Sequence, residues 1–342
     1  MNRTTNIVKN QNTPIDAVII WVNGDDPSHK EKLNKYLLSI GHVPKIANAD
    51  RFRETGELEY CVVSLLRYAP WIRKIFIVSD AQIPSFIPLI EKSSFSNRVE
   101  VVDHLTIFSG YEENLPTFNS RSIASLIWRI PGLSENYLFL NDDFIIIKTV
   151  TPNDFFFKDS IVIRGIWKLQ HKYRIDKVLI RILCPKRYKQ TVQSTRPKLS
   201  HAQASAASIA SYKLRFFSAP HVPHPQIKSI LQKFYSEHSD ILNKNIKFRI
   251  RSNEQFLPDA LTTHLAFSYS KAKVNNKLKS KTLKMGKISN TMLRYRLSLV
   301  GINRRLAFVC IQDLERAKPK TRKILIDWLN SRVGKLSDFI HE

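Results

Sequence analysis

Ile15-Asp16-Ala17-Val18-Ile19-Ile20-Trp21-Val22 runs directly into Asn23-Gly24-Asp25-Asp26-Pro27. A short apolar run rich in β-branched residues, closed by a turn signal, reads as a strand buried on both faces. Residues 28–39 follow as a helix, with Ser28 at the N-cap and Glu31 three residues on, as in a capping box. The same alternation recurs downstream. Leu58, Val62, Leu65, Leu66 and Ala69 fall at helical spacing, and Pro70 ends that helix. Residues 74–78 and 99–102 read as further strands, 120–129 as a helix, and 137–140 as a strand that stops at Asn141-Asp142-Asp143. Strands alternating with helices predict an α/β fold with a mostly parallel sheet covered on both faces. In such sheets ligands bind beyond the carboxyl ends of the strands. Asn23-Gly24-Asp25-Asp26, Ser79-Asp80 and Asn141-Asp142-Asp143 all sit at such ends, which puts polar chemistry on one rim.

The second half is less regular. Helices are expected over 202–216, 226–235, 253–267 and 318–332. The 342-residue chain therefore divides into a disordered tail (1–13), the first part of an α/β core (14–160) and a basic insertion (161–200). A second part of the core (201–270), a basic segment (271–305) and a C-terminal strand and helix packing on the core (306–342) complete it.

Charge is uneven: 54 Lys and Arg against 29 Asp and Glu leave +25. Residues 260–312 contain no acid, yet Lys271, Lys273, Lys277, Lys279, Lys281, Lys284 and Lys287 crowd together there. Such stretches attract polyanions, whether nucleic acid, anionic lipid or phosphate-bearing substrates, or else form a solvated face. Glycine is scarce and no G-x-G-x-x-G or Walker loop occurs, which argues against a P-loop kinase and an ordinary dinucleotide enzyme. Cys61, Cys184 and Cys310 are too sparse for a disulfide framework or a zinc site, and reduced thiols in a cytoplasmic protein fit them best. The polar N-terminus reads as no signal peptide, and no run approaches the ~18 apolar residues of a membrane span. Any membrane contact is expected to be peripheral, on the cytoplasmic face of an inner membrane, with capsule machinery as the other expected partner.

Several groups carry chemistry. Asp142-Asp143, adjacent carboxylates at a strand end, suit a divalent cation held against a diphosphate; an N-cap and turn pair is the plainer alternative. His221-Val222-Pro223-His224-Pro225 sets two imidazoles in a stiff segment with little room for helix or ladder, either one a possible base, ligand or structural group. In Phe248-Arg249-Ile250-Arg251, an extended backbone would put both arginines on one face, with geometry suited to phosphate or to surface ion pairs.

The stretch 15–27 resembles the first conserved block of the Stealth family. Residues 51–87, from Arg51-Phe52-Arg53 through Tyr68-Ala69-Pro70-Trp71 to Pro84-Ser85-Phe86, resemble a second block. Residues 115–143, with Leu115-Pro116-Thr117-Phe118-Asn119-Ser120 and Leu140-Asn141-Asp142-Asp143, resemble a third, and Phe308-Val309-Cys310-Ile311-Gln312-Asp313 a short fourth. That family contains bacterial capsule polymerases and the animal N-acetylglucosamine-1-phosphotransferase. The resemblance implies a Rossmann-like, GT-A-like core with an appended helical, basic part. It implies Mg²⁺ or Mn²⁺ and a nucleotide-sugar donor, typically a UDP-N-acetylhexosamine. The reaction it implies moves sugar-1-phosphate onto a hydroxyl of an anionic polysaccharide acceptor. It assigns Asp143, His221 and Arg251 to catalysis and Asp142 with Asp143 to the metal. Asn23, Gly24, Asp26, Arg51, Asn119, Arg121, His224 and Asp313 are expected to contact donor or substrate. Three positions depart from the family pattern: Ala124 stands where a Glu is common, Trp128 where a His is, and Gln312 where an Asn is.

The expected function is therefore a sugar-1-phosphate transferase of capsular or exopolysaccharide synthesis. The rivals are a metal-dependent glycosyltransferase that releases nucleoside diphosphate, and a non-enzymatic basic protein that binds nucleic acid. For the last, no zinc finger, RNP or helix-turn-helix pattern is present.

Overall fold

The computed structural model describes residues 13–41, 55–174 and 198–340. Residues 1–12 of the expected tail, Arg51 with the segment up to Glu54, Cys184, and most of the basic insertion 161–200 lie outside those residues.

The four expected N-terminal strands are β1 (Ile15–Ile20), β2 (Ile75–Ser79), β3 (Val99–Asp103) and β4 (Asn136–Asn141). They lie in the order β4-β1-β2-β3, all parallel. The chain moves outward from β1 to β3 and then returns past β1 to form β4. The order therefore reverses between β1 and β4, whose carboxyl ends carry Asn23–Asp26 and Asn141–Asp143. That crevice is where open α/β sheets bind ligands.

Helices α1 (Pro27–Ser39), α2 (Glu57–Tyr68), α3 (Ile87–Glu91), α4 (His104–Ile107) and α5 (Ser120–Ala124) punctuate this half. The cap of α1 is Asp26, not Ser28: the Asp26 carboxylate accepts from His29 N at 2.9 Å, and Pro27 occupies the first helical position. Proline fits there because that N–H has no helical partner. The helix expected over 120–129 breaks at Leu126 into α5 and a 3₁₀ turn at Ile127–Arg129, and Pro131 ends that turn by holding Ile130 at φ −55° and ψ 124°.

The rest of the chain forms β5 (Phe144–Ile146), β6 (Phe156–Phe157), β7 (Ser160–Ile163), β8 (Ile166–Leu169), α6 (Leu199–Ile209), β9 (Arg215–Ser218) and β10 (His224–Ile227). Then come α7 (Lys228–Glu237), α8 (Ser239–Ile246), α9 (Pro258–Ser268), β11 (Ala272–Val274), β12 (Lys279–Lys284), α10 (Asn290–Ile302), β13 (Leu306–Gln312), α11 (Pro319–Arg332) and α12 (Leu336–Phe339). Two expectations change here. The segment around His224 does join a ladder: β10 adds antiparallel to β4, and Pro225 is tolerated because β10 is the sheet's edge. The helix expected over 202–216 stops at Ile209. Ser211 turns the chain at φ +69°, and Phe216 and Phe217 enter β9 against β8.

The lysine-rich segment contributes a β-α-β unit. β12 and β13 are parallel, α10 connects them, and β13 also pairs antiparallel with β5. A second sheet thereby docks directly behind the turn between β4 and β5.

One charge lies inside β1. Asp16 is fully buried, and a buried carboxylate must be paired. Arg73 meets it in a fork, Nε to Oδ1 at 2.9 Å and Nη2 to Oδ2 at 2.6 Å, and Ser134 N donates to Oδ2 at 2.7 Å. Arg73→Met should cost about 3 kcal/mol, the low end for a broken buried pair, because Arg73 itself is 44% exposed and water can reach the gap. Urea unfolding measures it; a cost below about 1 kcal/mol would mean the pair is dispensable.

Candidate active site

Asp142 and Asp143 form the two-residue turn between β4, in the parallel sheet, and β5, in the sheet behind it. The turn is pinned from behind by Ile311 N, which donates to Asp143 O at 3.0 Å. The Cys310 thiol donates to Asp143 Oδ2 at 3.2 Å. Asp143 Oδ1 is buried and has no hydrogen-bond partner among the described residues. Burial raises the Asp143 pKa to about 6; the Cys310 thiol, its own backbone N–H and the Arg251 charge pull the other way. Arg251 thus lies within electrostatic reach of Asp143, although 108 residues separate them in the chain. The charge of Asp142 is felt by both buried thiols, Cys61 and Cys310, and helps raise their pKa values after burial.

Phe144, the first residue of β5, brings in the histidines. Its ring lies 5.9 Å from that of His221, edge to face, and 6.3 Å from that of His224. His224 Nε2 is 3.8 Å from the Asp259 carboxylate at the start of α9. The Gln312 amide sits 3.4 Å from His221 Nε2, on the last residue of β13. Lys284 ends β12 and pairs in register with Gln312. Burial lowers the His221 pKa, His224 and Lys284 lower it further, and Asp259 opposes them. The imidazole is therefore neutral near pH 7, and its unprotonated nitrogen can take a proton.

Arg251 arrives by a different route. Residues 248–251 are not a strand, and the two arginines part company. Arg249 reaches Glu113 O at 2.7 Å and lies over the Tyr36 ring, whereas Arg251 Nη2 donates to Ser120 Oγ at 2.6 Å at the start of α5. A buried amide network holds this segment. Asn119 Nδ2 donates to Phe248 O (2.7 Å) and Gln255 Oε1 (2.8 Å), while its Oδ1 accepts from Arg121 N. Gln255 Nε2 donates to Asn245 O (2.7 Å) and Ser122 Oγ (3.2 Å). Arg121 Nη1 donates to Ser252 O at 2.9 Å. Asn119 and Arg121, expected as donor contacts, are buried and instead tie down the Arg251 segment.

On the β1 side of the crevice, Asn23 exchanges both main-chain groups with the Gln82 amide, each at 2.9 Å, and its Oδ1 accepts from Asp25 N. Asp26 is committed to capping α1, and Gly24 lies in the turn between them. Asp313 follows Gln312 in a left-handed conformation, φ +59°. Of the departures, Ala124 is buried in the main hydrophobic core, Trp128 Nε1 donates to Ser125 O at 2.9 Å, and Gln312 stands at the site beside His221.

Asp259 and Phe144 do not stand out in the sequence as site residues, and Ser120 and Lys284 stand out only within a family block and a lysine cluster. Asp259 carried one signal: it is the last acid before the acid-free stretch 260–312.

Among the described residues no group of three His, Cys, Asp or Glu side chains is assembled to hold a metal. Asp143, whose Oδ1 is uncommitted, and Asp142 beside it instead fit the type of site in which one or two carboxylates share the cation with substrate phosphates and water.

Models of Stealth protein conserved region 1 and conserved region 2 match residues 13–41 and 51–163. The exopolysaccharide phosphotransferase cps2G of Lactiplantibacillus plantarum is 32% identical over 250 residues, covering 70% of this chain and 71% of that one. The chain belongs to the Stealth family. Its stretches 51–87 and 115–143, read as two blocks, both fall within Stealth conserved region 2. The capsular polysaccharide phosphotransferase WcwK of Streptococcus pneumoniae is 38% identical over 148 residues, 43% of the Stealth chain and 42% of WcwK. Mouse xyloside xylosyltransferase 1 superposes over 87% of the chain with a TM-score of 0.39 and 12% identity.

Because folding raises the Asp143 pKa from 3.8 to about 6, its charged form is penalised in the folded state. That penalty is absent below pH 3.8, grows between the two values and is complete above 6. Without divalent cations, Asp143→Asn should therefore raise the unfolding temperature at pH 8, and the gain should shrink below pH 6. A gain independent of pH would contradict the buried, uncompensated carboxylate.

Proposed function

We propose that this chain moves a sugar-1-phosphate from a nucleotide sugar, typically a UDP-N-acetylhexosamine, onto a hydroxyl of a polysaccharide, building a phosphodiester-linked capsule or exopolysaccharide. The observation that supports it is the gathering of a buried carboxylate, a neutral imidazole and a guanidinium from three distant segments around one turn at the sheet's reversal point. The parallel sheet would then serve as a Rossmann-like, GT-A-like donor platform. Asn23, Gly24 and Asp26 would line its nucleotide side, and His224 and Asp313 the sugar side.

In this reading His221 removes the proton of the acceptor hydroxyl, whose oxygen attacks the phosphorus attached to the sugar. The new P–O bond forms as the pyrophosphate bridge breaks, and nucleoside monophosphate leaves. Phe144 and Gln312 fix the His221 ring, and burial keeps it unprotonated until it acts. Arg251, held by Ser120, meets the equatorial oxygens, where charge gathers in phosphoryl transfer. Asp143 and Asp142 would hold Mg²⁺ or Mn²⁺, which when bound neutralises charge on the diphosphate. Lys284, beside Gln312, offers a cation to an acceptor that already carries phosphate.

Purified protein, nucleotide sugar, divalent cation and a short acceptor should release nucleoside monophosphate. Release of nucleoside diphosphate would make the protein an ordinary glycosyltransferase. His221→Ala and Arg251→Ala should each lower kcat on the order of 10²-fold or more. Wild-type turnover in His221→Ala with both substrates saturating would remove the base from this scheme.

A further inference from the structure

The crossover helix α10 has two apolar faces. Leu293, Leu297 and Val300 are buried and pack the helix onto the chain. At about 150° around the helix axis, by its 3.6-residue period, lie Met292, Tyr295, Leu299 and Ile302. Their exposures are 43, 59, 44 and 76%. They follow one another at the spacing of a single helical stripe, and the stripe points away from the core. A soluble helix ordinarily places charged or polar residues there.

The surroundings of the stripe carry one sign of charge. Arg294 and Arg296 flank it on its two sides, and Arg304 and Arg305 follow its end. Lys148 reaches the same end, donating to Asn303 O at 2.6 Å. Burial first, then Arg332 and Arg304 beside it, lower its pKa. No acid occurs between residues 260 and 312, and among the described residues no Lys or Arg from 271 to 305 makes a salt bridge. Lysines on the edge strand β12 have a sufficient explanation in blocking strand addition. That explanation does not extend to an exposed apolar stripe on a helix.

We propose that the outer face of α10 docks on an anionic lipid bilayer, with Met292, Tyr295, Leu299 and Ile302 in the headgroup–acyl boundary and the flanking arginines on lipid phosphates. Apolar residues bordered by arginine on a surface helix are the composition of an interfacial helix, and its binding adds apolar burial to attraction for anionic headgroups. A soluble polyanion would use the arginines and leave the apolar stripe in water, so the bilayer is the partner that accounts for both. No helix among the described residues is long and apolar enough to cross a membrane, so this contact lies on the surface. The inference is independent of the chemistry proposed above.

Co-sedimentation with phosphatidylcholine vesicles, alone or containing roughly one-third phosphatidylglycerol, tests it. The full chain should partition at least about tenfold more strongly to the anionic vesicles, and about 0.5 M salt should weaken that binding. Leu299→Glu with Ile302→Glu should lose roughly tenfold or more of the binding while the unfolding temperature holds. The milder Met292→Ser with Ile302→Ser, measured alongside, should lose less but in the same direction. Equal partitioning to both vesicle types overturns the proposal. So does unchanged binding by the stripe variants, which would leave a purely electrostatic face. Dissociation of a dimer by the same variants without any change in vesicle binding would assign the stripe to a second copy of the chain, and also overturns it.

Discussion

A carboxylate buried at the mouth of a parallel sheet has to be answered by a proton or by positive charge, and the architecture around Asp143 follows from that requirement. The turn that carries it joins two sheets: β4 delivers it to the crevice, while β5 and β13 close it off from behind and bring Cys310 against one oxygen. The other oxygen is left uncommitted. Such a group is poorly stabilised without a ligand and well suited to one, which is the usual trade between stability and function at an active site.

The charge that answers Asp143, that of Arg251, comes from far away in the chain, so its placement depends on a buried polar network. Asn119, Gln255, Asn245 and Ser122 share hydrogen bonds across more than a hundred residues of sequence and fix the segment that presents Arg251. Networks of this kind are costly when half-satisfied and rigid when complete, and here they convert a loop arginine into a positioned one. The histidines are fixed in another way. β10 adds to the free edge of β4, carries His224 onto Asp259, and leaves His221 one ring contact from Phe144.

The N-terminal sheet and its polar rim were legible in the sequence, because strands buried on both faces appear as continuous β-branched runs ended by turn residues. Asp143, His221 and Arg251 stood out by residue type and by family resemblance. The ties between them did not, since long-range pairing leaves no local pattern: Pro225 argued against a ladder that an edge strand in fact permits. Asn119 and Arg121 looked like ligand contacts because a buried amide or guanidinium carries the same letters as an exposed one. Only packing separates the two roles. Gln312, visible as a departure from the family pattern, gained a reason from the structure, where it braces the His221 ring.

The proposed chemistry requires that three groups share one pyrophosphate. A structure of the protein with a non-hydrolysable nucleotide sugar and Mg²⁺ tests this directly. The sugar-side phosphate is predicted to lie between Arg251 and the Asp142–Asp143 turn, with His221 facing the line of attack opposite the leaving oxygen. A diphosphate bound elsewhere on the rim, with His221 and Arg251 untouched by it, would contradict the account.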